Sequence, residues 1–216
     1  MVVSSVLLVL VALLAAGILA VALSGPDEGG RPLVLGPTPA PAPVDEPQPV
    51  TLGGTLAPRP CPTAATPFEP TRVDVPGVVR GATVVTPARA SAEVPGTPPT
   101  DSVGKQQFAY DRVQDVRPGD RRGNVLLNAH TFPDGSALGN RLLEGLQEGG
   151  RLVLADGDRR LCYRVTDRVE VSADENFDRY YAKDGPAQVA IVVCSGERLG
   201  PGVWTKRTVW FARPSA

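Results

Sequence analysis

Val189-Ala-Ile-Val-Val-Cys194 is a run of small and β-branched apolar side chains that ends on a thiol. It is too short for an independent helix and reads as a strand. Two further runs also read as a β-strand or its edge: Asn124-Val-Leu-Leu-Asn-Ala-His130 and Trp204-Thr-Lys-Arg-Thr-Val-Trp-Phe211. Working outward, Thr71–Val75 alternates, and Val78–Val85 is β-branched with Gly77 and Gly81 as punctuation. Arg151–Asp156, Leu161–Val171, Gln188–Cys194 and Trp204–Ala212 complete the strand candidates. One helix is expected over Ala137–Glu148, with Leu138, Leu142 and Leu146 on one face. Gly149-Gly150 would end it, and Ser136 or Asp134 would cap its start. Residues 86–123 are rich in Pro and Gly and read as a long loop, with Phe108-Ala-Tyr110 packing inward. A mainly β domain with one short helix predicts a barrel or sandwich.

That domain occupies residues 67–216. Residues 1–24 read as a transmembrane anchor or an uncleaved signal, because 2–23 are apolar apart from Ser4 and Ser5. A helix needs about 20 apolar residues to cross a bilayer. A cleaved signal ending at Ala20-Val-Ala22 is the alternative, and the absent basic flank leaves open a start upstream of Met1. Residues 25–66 form a Pro-rich linker; 25–70 hold 13 of the 23 prolines. Pro37-Thr-Pro-Ala-Pro-Ala-Pro43 favours extended polyproline II, a semi-rigid spacer at about 3.1 Å per residue. The net charge of −1 argues against nucleic acid as a partner and gives no support for a polybasic membrane-facing patch.

The chemistry is concentrated in three residues. His130 is the only histidine, Cys194 ends an apolar strand, and Arg207 lies in the last strand. A thiol that attacks a carbonyl, an imidazole that moves protons and a fixed cation that holds an oxyanion suffice for acyl transfer through a thioester. No cofactor is implied and no metal is expected, since the cysteines lack paired spacing. Cys61 and Cys162 remain, either as a disulfide or as two free thiols. The acidic residues Asp167, Glu170, Asp174, Glu175 and Asp178 read as a solvated face rather than a calcium site.

Several segments together resemble the sortases. Pro70-Thr-Arg-Val-Asp-Val-Pro76 resembles the opening strand of actinobacterial members, and Gly119-Asp-Arg-Arg-Gly-Asn-Val-Leu-Leu-Asn-Ala-His-Thr131 the segment bearing their catalytic histidine. Leu143-x-x-Leu146-x-x-Gly149 resembles their Leu-x-x-Leu-x-x-Gly-Asp helix end, with Gly150 in place of the acid. Ile191-Val-Val-Cys194-Ser-Gly196 matches the cysteine strand, and Arg207 falls at the family arginine. The tail resembles class F, with class E as the nearer rival.

The resemblance implies an eight-stranded β-barrel with short helices, behind an N-terminal transmembrane helix and linker. It implies a single-pass enzyme of the cell membrane whose catalytic domain is extracytoplasmic. Such an enzyme cuts a sorting signal of the Leu-Pro-x-Thr-Gly kind on secreted proteins and passes the acyl chain to an amine, such as a cell-wall precursor. Cys194 would be the nucleophile, His130 the acid and base, and Arg207 the oxyanion partner. Val193 and Ala129, beside the cysteine and histidine, and Phe177 and Tyr181, in the segment before the cysteine strand, would line the substrate groove. Sortases usually carry Thr where this chain has Val193 and Gly where it has Ala129. Those departures motivate a second reading, a catalytically weak sortase-fold protein that binds peptide or wall components.

Overall fold

The computed structural model describes residues 61, 62 and 66–216. The apolar segment 2–23 and residues 25–60 of the linker lie outside them. Among the described residues no helix is long and apolar enough to cross a membrane. The chain runs through β1 (Arg72–Val75), β2 (Val79–Val85), β3 (Phe108–Tyr110) and β4 (Asn124–Ala129) to the helix α1 (Leu138–Gly145). It continues through β5 (Arg151–Asp156), β6 (Arg159–Ser172), β7 (Gln188–Gly200) and β8 (Val203–Pro214). The eight strands close a barrel in the order β1-β2-β3-β4-β7-β8-β6-β5, with β5 returning to β1. This is the barrel the resemblance implies.

Strand alternation sorts the side chains into two layers. Ala129, Val189, Ile191, Val193, Trp210 and Ala212 belong to the cluster that fills the barrel, with Leu152, Leu154 and Tyr163 from the opposite wall. The intervening residues Leu126, Ala190, Val209 and Phe211 point outward and form a second cluster under Tyr180, Phe177 and Val192. The segment 173–187, between β6 and β7, covers that outer layer. It is fastened through its backbone: Asn124 Nδ2 donates to the carbonyls of Arg179 (2.7 Å) and Tyr180 (2.9 Å), and Gln114 Nε2 to that of Tyr181 (2.9 Å).

Three expectations are corrected. Phe108–Tyr110 is a strand, fully buried and paired with β2 and β4, where the sequence read as loop. Three residues are too few to display a period. The helix stops at Gly145 rather than Glu148 because Leu146 leaves the helical conformation and its carbonyl accepts from Trp210 Nε1 at 2.9 Å. Neither Ser136 nor Asp134 caps it. Asp134 Oδ1 is taken by Ser136 N and Oγ, while Asn140 Oδ1 reaches back to accept from Phe132 N at 2.9 Å.

Cys61 and Cys162 are joined in a disulfide with a Cα–Cα distance of 5.6 Å. Of the two open alternatives, the structure takes the bridge. It closes a loop across a sequence separation of 101, for which the chain-entropy model gives an upper figure of about 4.7 kcal/mol.

Candidate active site

Cys194 and Arg207 are direct partners across the β7–β8 ladder, so their side chains share one face of the sheet. That face is the outer one, since Val192 and Val209, the next outward pair, pack on the outer cluster. Parallel pairing of β4 with β7 sets Ala129 against Val193 and delivers His130, the following residue, to the same end of the ladder. The three strands therefore bring together the residues that the sequence holds far apart.

The His130 backbone is pinned. Gly139, in the first turn of α1, donates its N–H to the His130 carbonyl at 2.7 Å. A Cβ at Gly139 would stand 2.4 Å from that oxygen, so only glycine allows the helix so close. Next along the chain, Thr131 Oγ1 donates to the Cys194 carbonyl at 2.7 Å and stitches the histidine segment to the cysteine strand. The imidazole is held by its Nε2, 2.6 Å from the Pro98 carbonyl. A carbonyl only accepts, so Nε2 donates there.

Arg207 is aimed by backbone. Its Nη1 donates to the Lys206 carbonyl at 2.9 Å and approaches that of Trp204 at 3.4 Å. Among the described residues it has no carboxylate partner, which leaves its charge available to the groove. Burial pushes the Cys194 thiol above its ordinary value, and the Arg207 guanidinium opposes that only in part. Burial is the larger effect, so Cys194 rests as the thiol.

A groove of about 300 Å³ opens beside this pair. Its floor is Val192, Val193, Cys194, Arg207 and Val209, its near wall Phe177, Tyr180 and Tyr181, and its far wall Val94, Pro95 and Thr97. Of the expected groove residues, Phe177 and Tyr181 line it. Val193 borders it but is buried in the barrel cluster, and Ala129 is in that cluster without lining the groove. Phe177 also packs edge-on against Phe211, so its packing and lining roles coexist.

Sequence reasoning missed Asn128, Thr131, Gly139 and the strap 94–98. Asn128 lines the groove and ties the strap down through Nδ2 to the Gly96 carbonyl at 2.9 Å. Period-two counting back from His130 reaches Asn128, and that was the available signal. The strap offered none: Gly96 and Pro98 act through backbone carbonyls, and its wall residues Val94, Pro95 and Thr97 lie in a stretch without a period. The acidic residues are spread among separate partners: Asp167 pairs with Arg179 at 2.9 Å, Glu170 with Lys206 at 3.2 Å, and Glu175 reaches the groove rim.

No protein-family model and no curated protein matches the chain. Solved structures do. The pilus-related sortase C of Group B Streptococcus matches with a TM-score of 0.51 at 14% identity, over 68% of this chain and 68% of that one. Sortase A of Listeria monocytogenes matches with a TM-score of 0.49 at 16% identity, over 69% and 89%. Sortase C-1 of Actinomyces oris matches with 0.49 at 16% identity, over 67% and 71%. At these identities the likeness is one of fold: the described domain has the sortase fold.

Proposed function

We propose that this chain is a sortase-type cysteine transpeptidase, anchored in the cell membrane through residues 2–23 with its barrel outside the cytoplasm. The observation that carries this reading is the pairing of Cys194 with Arg207 across one ladder, at the floor of a groove, with His130 delivered to the same end by β4. The disulfide supports an oxidising location.

In this reading an extended sorting signal of the Leu-Pro-x-Thr-Gly kind lies in the groove. His130 takes the thiol proton as the sulfur attacks the threonine carbonyl carbon. The tetrahedral oxyanion is held by Arg207, in a partly buried setting where its charge acts strongly. The C–N bond breaks as the imidazolium gives its proton to the departing glycine amine, leaving a thioester on Cys194. An incoming amine then attacks the thioester, His130 accepts its proton, and the thiol is restored. Water in place of the amine gives hydrolysis. The class F or E assignment, the acceptor and the signal itself belong to this proposal.

Incubation of the protein with sorting-signal peptides tests it. The expected result is a covalent acyl adduct on Cys194, seen as a mass increase of the intact chain and absent from Cys194→Ala. No adduct across a broad peptide library, with the fold verified, would instead favour a binding protein without turnover. The placement of Ala129 and Val193 in the barrel cluster favours the enzyme, because both departures are packed into the interior, Val193 at the border of the groove.

A further inference from the structure

The wall of the barrel opposite the groove is built from β1, β5 and β6, closed on one side by the end of β8. On its outer face three arginines stand in one row: Arg151 pairs with Arg164 across β5–β6, and Arg164 pairs with Arg213 across β6–β8. A second row sets Arg72 and Arg160 on either side of Ala155. Their outward direction follows from the alternation, since the neighbours Val73, Leu152, Tyr163 and Ala212 fill the barrel. Arg72, Arg164 and Arg213 are exposed, and none of the five is in an ion pair among the described residues. Between the two rows lies Asp74, opposite Val153, and its Oδ1 accepts from Gly81 N at 2.5 Å.

Like charges directly opposite on neighbouring strands destabilise a sheet. Three in one row, uncompensated, call for an anion from outside. The net charge of −1 conceals this segregation, which is why composition gave no support for a basic patch. The disulfide lies between the two rows: Cys162 is outward on β6, and Arg151 Nη2 approaches both Cys61 Sγ (3.5 Å) and Cys162 Sγ. The chain arriving from its N-terminal side is thus fastened to the middle of the arginine wall.

We infer that this wall docks on the phosphate headgroups of an anionic lipid bilayer, with the groove on the far side of the barrel turned away from the membrane. Arginine binds phosphate in bidentate fashion. One observation favours a bilayer over other polyanions: the polypeptide is pinned to this wall at Cys61, on the side of the chain that carries the apolar segment 2–23.

The test uses the full chain in nanodiscs of phosphatidylcholine alone or with phosphatidylglycerol, with phenylglyoxal modification of arginines read by mass spectrometry. Capture in both discs reads the anchor; the modification rates read the wall. Arg164 and Arg213 should react at least about fivefold more slowly in the anionic discs at low salt, as electrostatic attraction of one arginine suggests. High salt should remove the difference. Exposed Arg198, on the β7–β8 hairpin, should react equally in both. Replacing Arg164 and Arg213 by Gln should abolish protection of Arg72 while leaving peptide cleavage unchanged. Equal rates in the two discs would overturn the inference. So would protection in both discs, which would point to the chain's own acidic residues Asp27, Glu28, Asp45 and Glu46. Protection by soluble polyphosphate but not by the anionic disc would assign the wall to a wall polymer instead.

Discussion

The two faces of the β4-β7-β8 ladder differ by one residue step and do opposite work. Inward, Ala129, Val193, Trp210 and Ala212 pack the barrel interior. Outward, Asn128, Val192, Cys194, Arg207 and Val209 line a groove. Because the side-chain period is two, neighbours in sequence are strangers in space. Val193 touches Cys194 along the chain but shares its environment with Thr208 and Trp210. Conservative change at Val193, next to Cys194, is therefore a packing event.

The comparison breaks first if the outward residues prove dispensable. Cys194→Ala and His130→Ala should remove nearly all cleavage of a sorting-signal peptide without lowering the melting temperature, since neither residue belongs to the barrel cluster. Arg207→Ala should cost about 10²–10³-fold, the size found for losing an oxyanion donor. Arg207→Lys should be nearly as poor, because a point charge cannot use the two carbonyls that aim the planar fork. Near wild-type turnover in any of these variants would separate the ladder from the chemistry.

The inward face should give the reverse signature. Trp210 is wholly buried, and its indole N–H holds the carbonyl that ends α1. Trp210→Phe keeps most of the bulk but orphans the Leu146 carbonyl and leaves a gap. Denaturant unfolding should show a loss of about 1–3 kcal/mol, with the rate of peptide cleavage per folded molecule little changed.

Much of this division was legible in the sequence. The runs ending in His130 and Cys194 and surrounding Arg207 are strong strand signals, and their order on the chain carried the resemblance. The register that sets Cys194 opposite Arg207 and brings His130 to the same end of the ladder was not legible, because pairing is decided by the whole barrel. Short β3 lacked a period. In the strap 94–98, Gly96 and Pro98 act through carbonyls, which every residue has. The arginine rows are scattered in sequence and meet only when β5, β6 and β8 align. The upward displacement of the thiol depends on burial, which no local pattern reports.

That displacement sharpens the comparison on the outward side. Alkylation of Cys194 by iodoacetamide follows its thiolate, so the rate should rise with pH through an inflection above that of a free cysteine. Burial raises the folded value and Arg207 lowers it. Arg207→Gln should therefore move the inflection to still higher pH and slow labelling at neutral pH. An inflection at or below the ordinary thiol value would mean that the cationic neighbours outweigh burial after all.

The smallest expected effect is also the most discriminating. Val193 and Thr208 face each other across β7–β8 on the inward side, and Thr208 Oγ1 is buried with no hydrogen-bond partner. The hydroxyl that sortases usually carry before the cysteine would, at this position, project into the barrel beside Thr208. Val193→Thr exchanges one buried methyl for a hydroxyl that needs a partner, and Thr208 supplies one that needs the same. A new neutral hydrogen bond contributes about 0.5–1.5 kcal/mol, set against a similar desolvation cost for the added oxygen. Stability should then change by less than about 1 kcal/mol. In Thr208→Val, where the partner is absent, the same substitution should be plainly destabilising. The two positions would show a coupling in a double-mutant cycle. Turnover should move by less than about tenfold in every member of the cycle, since a bond of that size is all that changes. A rate gain beyond that in Val193→Thr alone would mean that residue 193 acts in the groove, and the separation of the two faces would fail at the position next to Cys194.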